Sequence, residues 1–322
     1  MFSNSFVFIV NKATYETHVK YGFCATGKAN KPAFTFEEFI KPEFQRTQHS
    51  LLADIMNIQV GDTIFFYVTK EGFKGVYEVT QQAFFDPTPI ENVPASRPFR
   101  ILIKPKYLFE QAIPENSLFI NPERQQTFWL WYFNKMRTYP RGCTPLDPDA
   151  KKKLIELLLK HNDGEVASKQ QTHDYPNRKD LIEIRTLVAP FKPVKKALDS
   201  EDSLRASTMK AFQEKSVVVS HVFGGFDTLE WFANQVPYNI SGNNIDLILY
   251  HRSKPVDGID ARYKITVVEM KKDKAGIEDF YQLLGYCQWA GDQLADREHY
   301  LVQPALLANS FDESLFLSLI HI

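Results

Sequence analysis

Residues 243–251, NNIDLILYH, and residues 265–273, ITVVEMKKD, decide how this chain is read. Asp246 opens an apolar run rich in strand formers. An isolated charge beside a buried strand costs several kcal/mol unless it is paired or bound to a metal. Between the two runs lies RSKPVDGIDARYK, in which Asp257-Gly258 is a hairpin-turn signal. Side chains alternate faces along a strand, so Glu269 and Lys271 share one face while Val268 and Met270 share the other. Pairing the runs through the hairpin brings Asp246 near Glu269. Downstream, AGIEDFYQLLGYCQWAGDQL reads as a helix. Its first apolar stripe is Ile277, Phe280, Leu284 and Cys287, and its second carries Gln282, Tyr286 and Trp289.

Two carboxylates converging on one point hold a hard divalent cation through oxygen. Mg²⁺ suits a site with few protein ligands, because it keeps several waters and takes further oxygens from substrate phosphate. Such a cation polarises a phosphoryl group and acidifies a bound water, and a lysine beside it offsets developing negative charge. This succession of Asp, loop, Glu-x-Lys and a helix with Gln-x-x-x-Tyr resembles the PD-(D/E)XK nuclease superfamily, in its NucS-like and restriction-endonuclease branches. The resemblance implies Asp246 and Glu269 as metal ligands, Lys271 as catalytic lysine, and Gln282 and Tyr286 as helix positions supporting catalysis. It implies Mg²⁺ as cofactor, with Mn²⁺ as substitute. The proline that often precedes the aspartate is replaced by Ile245. An additional helix glutamate is expected, for which Glu201 and Glu230 compete. The opposing expectation places Glu269 and Lys271 on a solvated sheet edge and Asp246 in a turn.

A chain of 322 residues allows two domains, each with its own core. Hydrophobic content of 44% and aromatic content of 14% describe a packed chain, and a net charge of −1 means that any nucleic-acid surface is a local patch. Cys24, Cys143 and Cys287 form no CxxC pair, which argues against a zinc ribbon or disulfide framework and fits a reducing, cytoplasmic interior. No apolar run reaches the length of a membrane span. The opening MFSNSFVFIVNK reads as a first strand rather than a signal peptide.

Residues 1–165 read as one domain. FVFIV is a strand, and IFFYV and KGVYEVT form a hairpin through a Lys-Glu-Gly turn. FRILIKPKYLF is a further strand, and DPDAKKKLIELLLKH is a helix with Asp147 as N-cap and Pro148 at its first position. FIVNKATYETHVKYGFCATG, VGDTIFFYV, KGVYEV, FRILIKP and PLDPDAKKKLIELL together resemble the EVE and YTH domains of the PUA-like superfamily. The resemblance implies a small β-barrel flanked by helices that holds a modified base in an aromatic cage. Phe23 and Cys24 then stand at the cage position, Trp129 and Trp131 are candidate walls, and Asn11 is placed to contact a base edge.

Residues 166–198 read as a polar connector, with LIEIRTLV as a possible strand and Lys192, Lys195 and Lys196 as phosphate contacts or solvated charges. Residues 199–322 form the second domain. It begins with a helix capped by Ser200, then VVVSHVFGGF as a buried or edge strand ending in Gly-Gly and bearing a packed His221, then DTLEWFANQ as a short helical turn. The fold class expected is therefore two-domain, mixed α+β and α/β: an N-terminal PUA-like barrel and a C-terminal restriction-endonuclease-like core on a mixed sheet. The two resemblances together imply a modification-dependent DNA endonuclease, acting as a homodimer on duplex DNA. The alternatives are a NucS-like repair endonuclease for mismatched, branched or damaged DNA, and a binding protein whose nuclease core has decayed.

Overall fold

The computed structural model describes residues 3–27, 35–39, 41, 50–136, 142–167, 173–176, 181–188, 200–239 and 243–315. The lysines at 192, 195 and 196 lie outside these. The chain divides into two compact units, Ser3–Leu187 and Val188–Ile322.

In chain order, the first unit carries β1 (Ser5–Val10), α1 (Lys12–Tyr21), β2 (Phe23–Thr26), the single turn α2 (Phe36–Phe39), α3 (described over 50–56), β3 (Thr63–Val68), β4 (Gly72–Val79), β5 (Phe84–Phe85), β6 (Phe99–Tyr107), α4 (Pro122–Thr127), α5 (Trp129–Lys135), β7 (Cys143–Leu146), α6 (Pro148–His161) and β8 (Ile182–Glu183). The sheet runs β7-β1-β3-β4-β6-β5-β8, with β2 also on β6. β3 is buried along its whole length, as an apolar strand with a neighbour on each side must be. The sequence reads this sheet as a barrel. Among the described residues it does not close, because β7 and β8 end the path without pairing to each other. Asp147 caps α6 by accepting from the Ala150 N–H at 2.9 Å.

Residues assigned to a connector instead enter this unit. β8 pairs with β5, and the Tyr175 hydroxyl bonds the buried Asp86–Arg100 pair. Gly27, at the end of GFCATG, passes so close to Ser96 that an added Cβ would stand 2.1 Å from its carbonyl oxygen.

The second unit carries α7 (Glu201–Gln213), α8 (Val217–Phe223), β9 (Leu229–Pro237), β10 (Asn244–Arg252), β11 (Arg262–Ala275), α9 (Ile277–Leu294) and β12 (Val302–Phe311). Its sheet has the order β12-β11-β10-β9, with β11 and β12 parallel and the other pairs antiparallel. The mixed sheet expected from the sequence is present. The β10–β11 hairpin turns at Asp257 and Gly258, both at positive φ (52° and 78°), the backbone that an Asp-Gly pair accommodates.

Three local readings are overturned. VVVSHVF is helix α8 rather than a strand: Val219 and Phe223, one turn apart, are buried, and Phe223 stacks on Phe212 of α7. Its β-branched composition suggested a strand, and packing against α7 overrides that local preference. His221 on this helix is exposed, not packed. LEWFANQVP is strand β9 rather than a helical turn, because it completes the sheet beside β10. On α9 the buried face is Leu283, Tyr286, Cys287 and Ala290, so Cys287 of the first stripe and Tyr286 of the second are both covered, whereas Leu284 is 37% exposed and Leu283 takes its place. No helix among the described residues is long and apolar enough to cross a membrane. The three cysteines are free and buried.

Candidate metal and phosphate site

Asp246 follows Ile245 near the start of β10, one register step beyond the paired Leu247 and Val268, which sets it opposite Glu269. Both carboxylates are buried, at 9% and 3% exposure, on the two interior strands of the sheet. The solvated-edge alternative therefore does not describe them. Asp246 is held from three directions. Its Oδ2 accepts from the Met270 N–H at 2.8 Å, its Oδ1 accepts from Gln235 Nε2 at 3.0 Å, and Arg205 Nη1 of α7 stands 3.7 Å from Oδ1. Arg205 also pairs with Asp202. Gln235 itself sits at φ 51° within β9, a left-handed backbone that a residue with a Cβ rarely adopts. The strain lies at the strand position facing Asp246.

Lys271 Nζ lies 2.8 Å from Glu269 Oε1 and 3.4 Å from Asp279 Oδ1 of α9. Burial alone would lower the ammonium's pKa. The hydrogen bond to Glu269 and the charges of Glu201 and Asp279 more than offset this and hold it above the ordinary lysine value. Lys271 is thus a fixed cation at neutral pH, suited to orienting a water or phosphate oxygen and not to taking up a proton. Burial, then the charge of Asp246, pushes Glu269 up to about 7 against the pull of Lys271. Burial also raises Asp246, against Arg205, the Met270 N–H and Lys271.

Glu269 Oε2 is buried with no hydrogen-bond partner in the structure. A carboxylate oxygen without a donor, beside a second carboxylate that repels it, is stabilised by a cation. The donor set of hard oxygens fits Mg²⁺ or Mn²⁺. Asp246 and Glu269 are the residues that would hold such an ion. Among the described residues no group of three His, Cys, Asp or Glu side chains gathers around one point.

The raised Glu269 pKa has a stability consequence. The folded state keeps its proton between the ordinary value of 4.5 and about 7. Its contribution is therefore full below about 4.5 and is lost as pH rises through about 7. Glu269→Gln never ionises. In EDTA its melting temperature should gain on the wild type between pH 5 and pH 8, by roughly 2–4 °C for each kcal/mol of relieved repulsion. A difference that stays flat across that range would show that Glu269 is not a strained carboxylate.

The open choice of helix acid is narrowed by the same geometry. Glu201, exposed in the first turn of α7, adds its negative charge to the surroundings of Glu269 and Lys271. Glu230 instead binds Arg252 at 2.6 Å and Arg262 at 3.1 Å. Gln282 donates to the Tyr286 hydroxyl at 2.7 Å, and with Asp279 these residues follow one face of α9. Sequence reading missed Arg205, Gln235 and Asp279. Asp279 had a signal, one turn before Gln282, whereas Arg205 and Gln235 carry none that is local.

The residues named for a base cage are placed differently. Phe23 has 0% exposure. Its ring meets His18 at 4.8 Å and Tyr175 at 5.3 Å, with the Arg100 guanidinium 5.5 Å from its centre. Trp131 is equally buried, against Tyr67 and Phe73, and its indole N–H donates to Glu115 at 2.7 Å. Both rings are core in this structure, so neither offers a face to a base. Cys24 is buried as well, and burial raises its thiol pKa. The Asn11 side chain accepts from the Thr14 N–H at 2.8 Å, capping α1. Trp129 is half-buried and donates to Asp147 at 2.9 Å. An aromatic residue type does not by itself separate core from cage; the neighbours that cover each ring do.

Among solved structures, the chain is similar to a hypothetical protein from Leishmania major (12% identity, TM-score 0.34, covering 49% of this chain and 96% of that one). It is also similar to human THYN1 protein in complex with 5-methylcytosine containing DNA (13% identity, TM-score 0.28, covering 48% and 97%). A third is a repair endonuclease from Pyrococcus abyssi (21% identity, TM-score 0.23, covering 34% and 42%). A comparison with curated proteins gives no match. The EVE domain family model matches residues 28–156, all of which fall within the first unit.

Proposed function

We propose that this protein is a modification-dependent DNA endonuclease, in which the EVE-matched first unit binds DNA at a modified base and the second unit hydrolyses a phosphodiester with Mg²⁺. The observation that carries the hydrolytic half is the Asp246–Glu269–Lys271 cluster on two interior strands, its carboxylates buried, its lysine half-buried and one Glu269 oxygen unpartnered. The EVE match supports the reading half.

When bound, the cation would supply Lewis-acid polarisation of the phosphoryl group and a more acidic water. The chain's own residues do the rest. Asp246 is fixed by Arg205, Gln235 and the Met270 amide, so its oxygens keep one orientation. Lys271, held charged, offsets negative charge developing on the phosphate. Asp279 restrains the lysine from the helix side. Cutting both strands of a duplex needs two such clusters, which a homodimer would provide.

A panel of matched duplexes carrying no modification, N6-methyladenine, 5-methylcytosine or 5-hydroxymethylcytosine, with Mg²⁺ or Mn²⁺, tests this. Cleavage confined to, or markedly faster on, one modified duplex is expected. If no nucleic acid is cut with either ion, the enzymatic reading fails. Equal cutting of all four would remove the modified-base half alone.

A further inference from the structure

The outer strand of the second unit lacks the usual protection of a sheet edge. β12 pairs with β11 on one side and, among the described residues, meets no strand on the other. Folded proteins guard such edges with charged side chains, bulges or a covering segment, because a row of unpaired backbone groups recruits another strand. β12 carries no charged residue along its ten positions. Pro304 guards its first half. Beyond it Ala305, Leu306, Leu307 and Ala308 are half-buried, and Asn309 and Ser310 are exposed.

The helix beside this edge is uncovered on the same side. α9 joins β11 to the parallel β12 and packs on both. One flank of α9 carries Asp279, Gln282 and Tyr286 toward Lys271 and Tyr238. The opposite flank turns toward the outer edge: a Cβ on Gly291 would stand 2.2 Å from the ring of His299, in the turn that leads into β12. That flank bears Ile277, Phe280 and Leu284, part of the apolar stripe evident in the sequence. Ile277 and Phe280 are half-buried, and Leu284 is 37% exposed.

Together the edge and the stripe choose the occupant. A foreign extended segment added to β12 would satisfy the edge and leave the stripe in water. A second copy of the chain covers both. Antiparallel pairing of β12 with its own copy sets a two-fold axis perpendicular to the sheet, so both copies of α9 lie on one face of the joined sheet. With strands ~4.8 Å apart, a helix over β11 and β12 lies about 10 Å from its copy, close to the roughly 8–10 Å usual for packed helices. The two stripes then meet across the axis, apolar against apolar. No register of this pairing opposes like charges within β12, because the strand has none.

We propose that the outer edge of β12 and the flank of α9 bearing Ile277, Phe280 and Leu284 form the interface of a two-fold homodimer, in which two four-stranded sheets join edge to edge. In register, Glu269 stands beside Leu306 and Lys271 beside Ala308. A pairing centred on Leu307 is therefore level with both. Each acidic cluster, between β10 and β11, then lies two strand spacings from the axis, which sets the two clusters about 20 Å apart on one face of the joined sheet. One duplex laid across that face presents a strand to each. The inference rests on the hydrolytic reading above for this consequence, and its first measurements use no DNA.

Analytical ultracentrifugation of the full chain in EDTA should show a monomer–dimer equilibrium at micromolar concentration. Asn309→Lys, which adds the charge that guarded edges carry, and Leu284→Glu, at the exposed stripe position, should each raise the dimer dissociation constant by about ten-fold or more. Unchanged far-UV circular dichroism separates a loosened interface from a damaged fold. Leu306→Cys, Leu307→Cys and Ala308→Cys scan the axis. Opposed residues of antiparallel strands lie about 4.5–5.5 Å apart at Cα, within disulfide reach, so at least one of the three should give a covalent dimer on mild oxidation. The wild type, whose three cysteines are buried, is the control. A monomeric wild type overturns the inference, as does a dimer that none of these cysteines cross-links and neither charge loosens. On a supercoiled plasmid with Mg²⁺, with or without base methylation, the two loosened variants should nick at the wild-type rate and linearise about ten-fold more slowly or worse. A dimer cross-linked through β12 that cuts nothing under any metal sinks the hydrolytic reading and leaves the interface standing. A monomer that nicks DNA does the reverse.

Discussion

Lys271→Ala should lower Mg²⁺-dependent cleavage by on the order of 10²–10³-fold, the loss typical when one preorganised charge donor is removed from a reacting centre. DNA binding measured with Ca²⁺ should change little, because most of the affinity for DNA comes from contacts spread along the backbone. The variant also carries a pH signature. Lys271 pulls the Glu269 pKa down from where burial and Asp246 push it, so its removal raises that pKa further above about 7. The carboxylate must be ionised to hold a cation, and the acid limb of single-turnover cleavage should therefore move to higher pH. Lys271→Arg keeps a charge at the site and should show a smaller displacement of that limb. Cleavage by Lys271→Ala at the wild-type rate and pH profile would remove the lysine, and with it the phosphodiesterase reading of the cluster.

The second large effect is on stability, in the first unit. Arg100 has 0% exposure. Its Nη1 lies 3.2 Å from Asp86 Oδ2 and donates to the Tyr175 hydroxyl at 2.6 Å, while Nε donates to the Arg97 carbonyl at 3.2 Å. Tyr175 donates in turn to Asp86. Breaking a buried pair by removing one partner leaves an uncompensated charge and costs about 3–5 kcal/mol. Arg100→Ala should reach that range in urea unfolding, with part of the loss arising because the guanidinium also covers the ring of Phe23. Removing both charges, as Arg100→Met with Asp86→Asn, should cost less than the two single changes added together, since neither charge is then stranded. Arg100→Ala within about 1 kcal/mol of wild type, or strictly additive effects, would show that the pair is not the strut it is taken for.

The catalytic candidates were legible in the chain because their signal is local. Asp246 interrupts an apolar strand, and Glu269 and Lys271 alternate with buried residues along another. The Asp-Gly turn between them sets the register that brings the acids opposite each other. Caps at Asp147 and Ser200 were equally readable, since capping depends on residues three apart. Element type failed where neighbours outweigh propensity: α8 is helical despite its valines because it packs on α7, and β9 is a strand because β10 offers it an edge.

Function at the level of side chains divides along the same line. Sequence by itself determined that two acids and a lysine could meet, that a helix bearing Gln282 and Tyr286 follows them, and that an EVE-like pattern precedes them. Only the tertiary structure decided that Arg205 and Gln235 hold Asp246, and that Asp279 restrains Lys271. It also decided that Phe23 and Trp131 are core, while Leu284 of the α9 stripe is exposed. The physical reason is range. Periodicity and turn chemistry act over a few residues, whereas burial and the electrostatics that follow from it depend on which distant segments pack around a side chain.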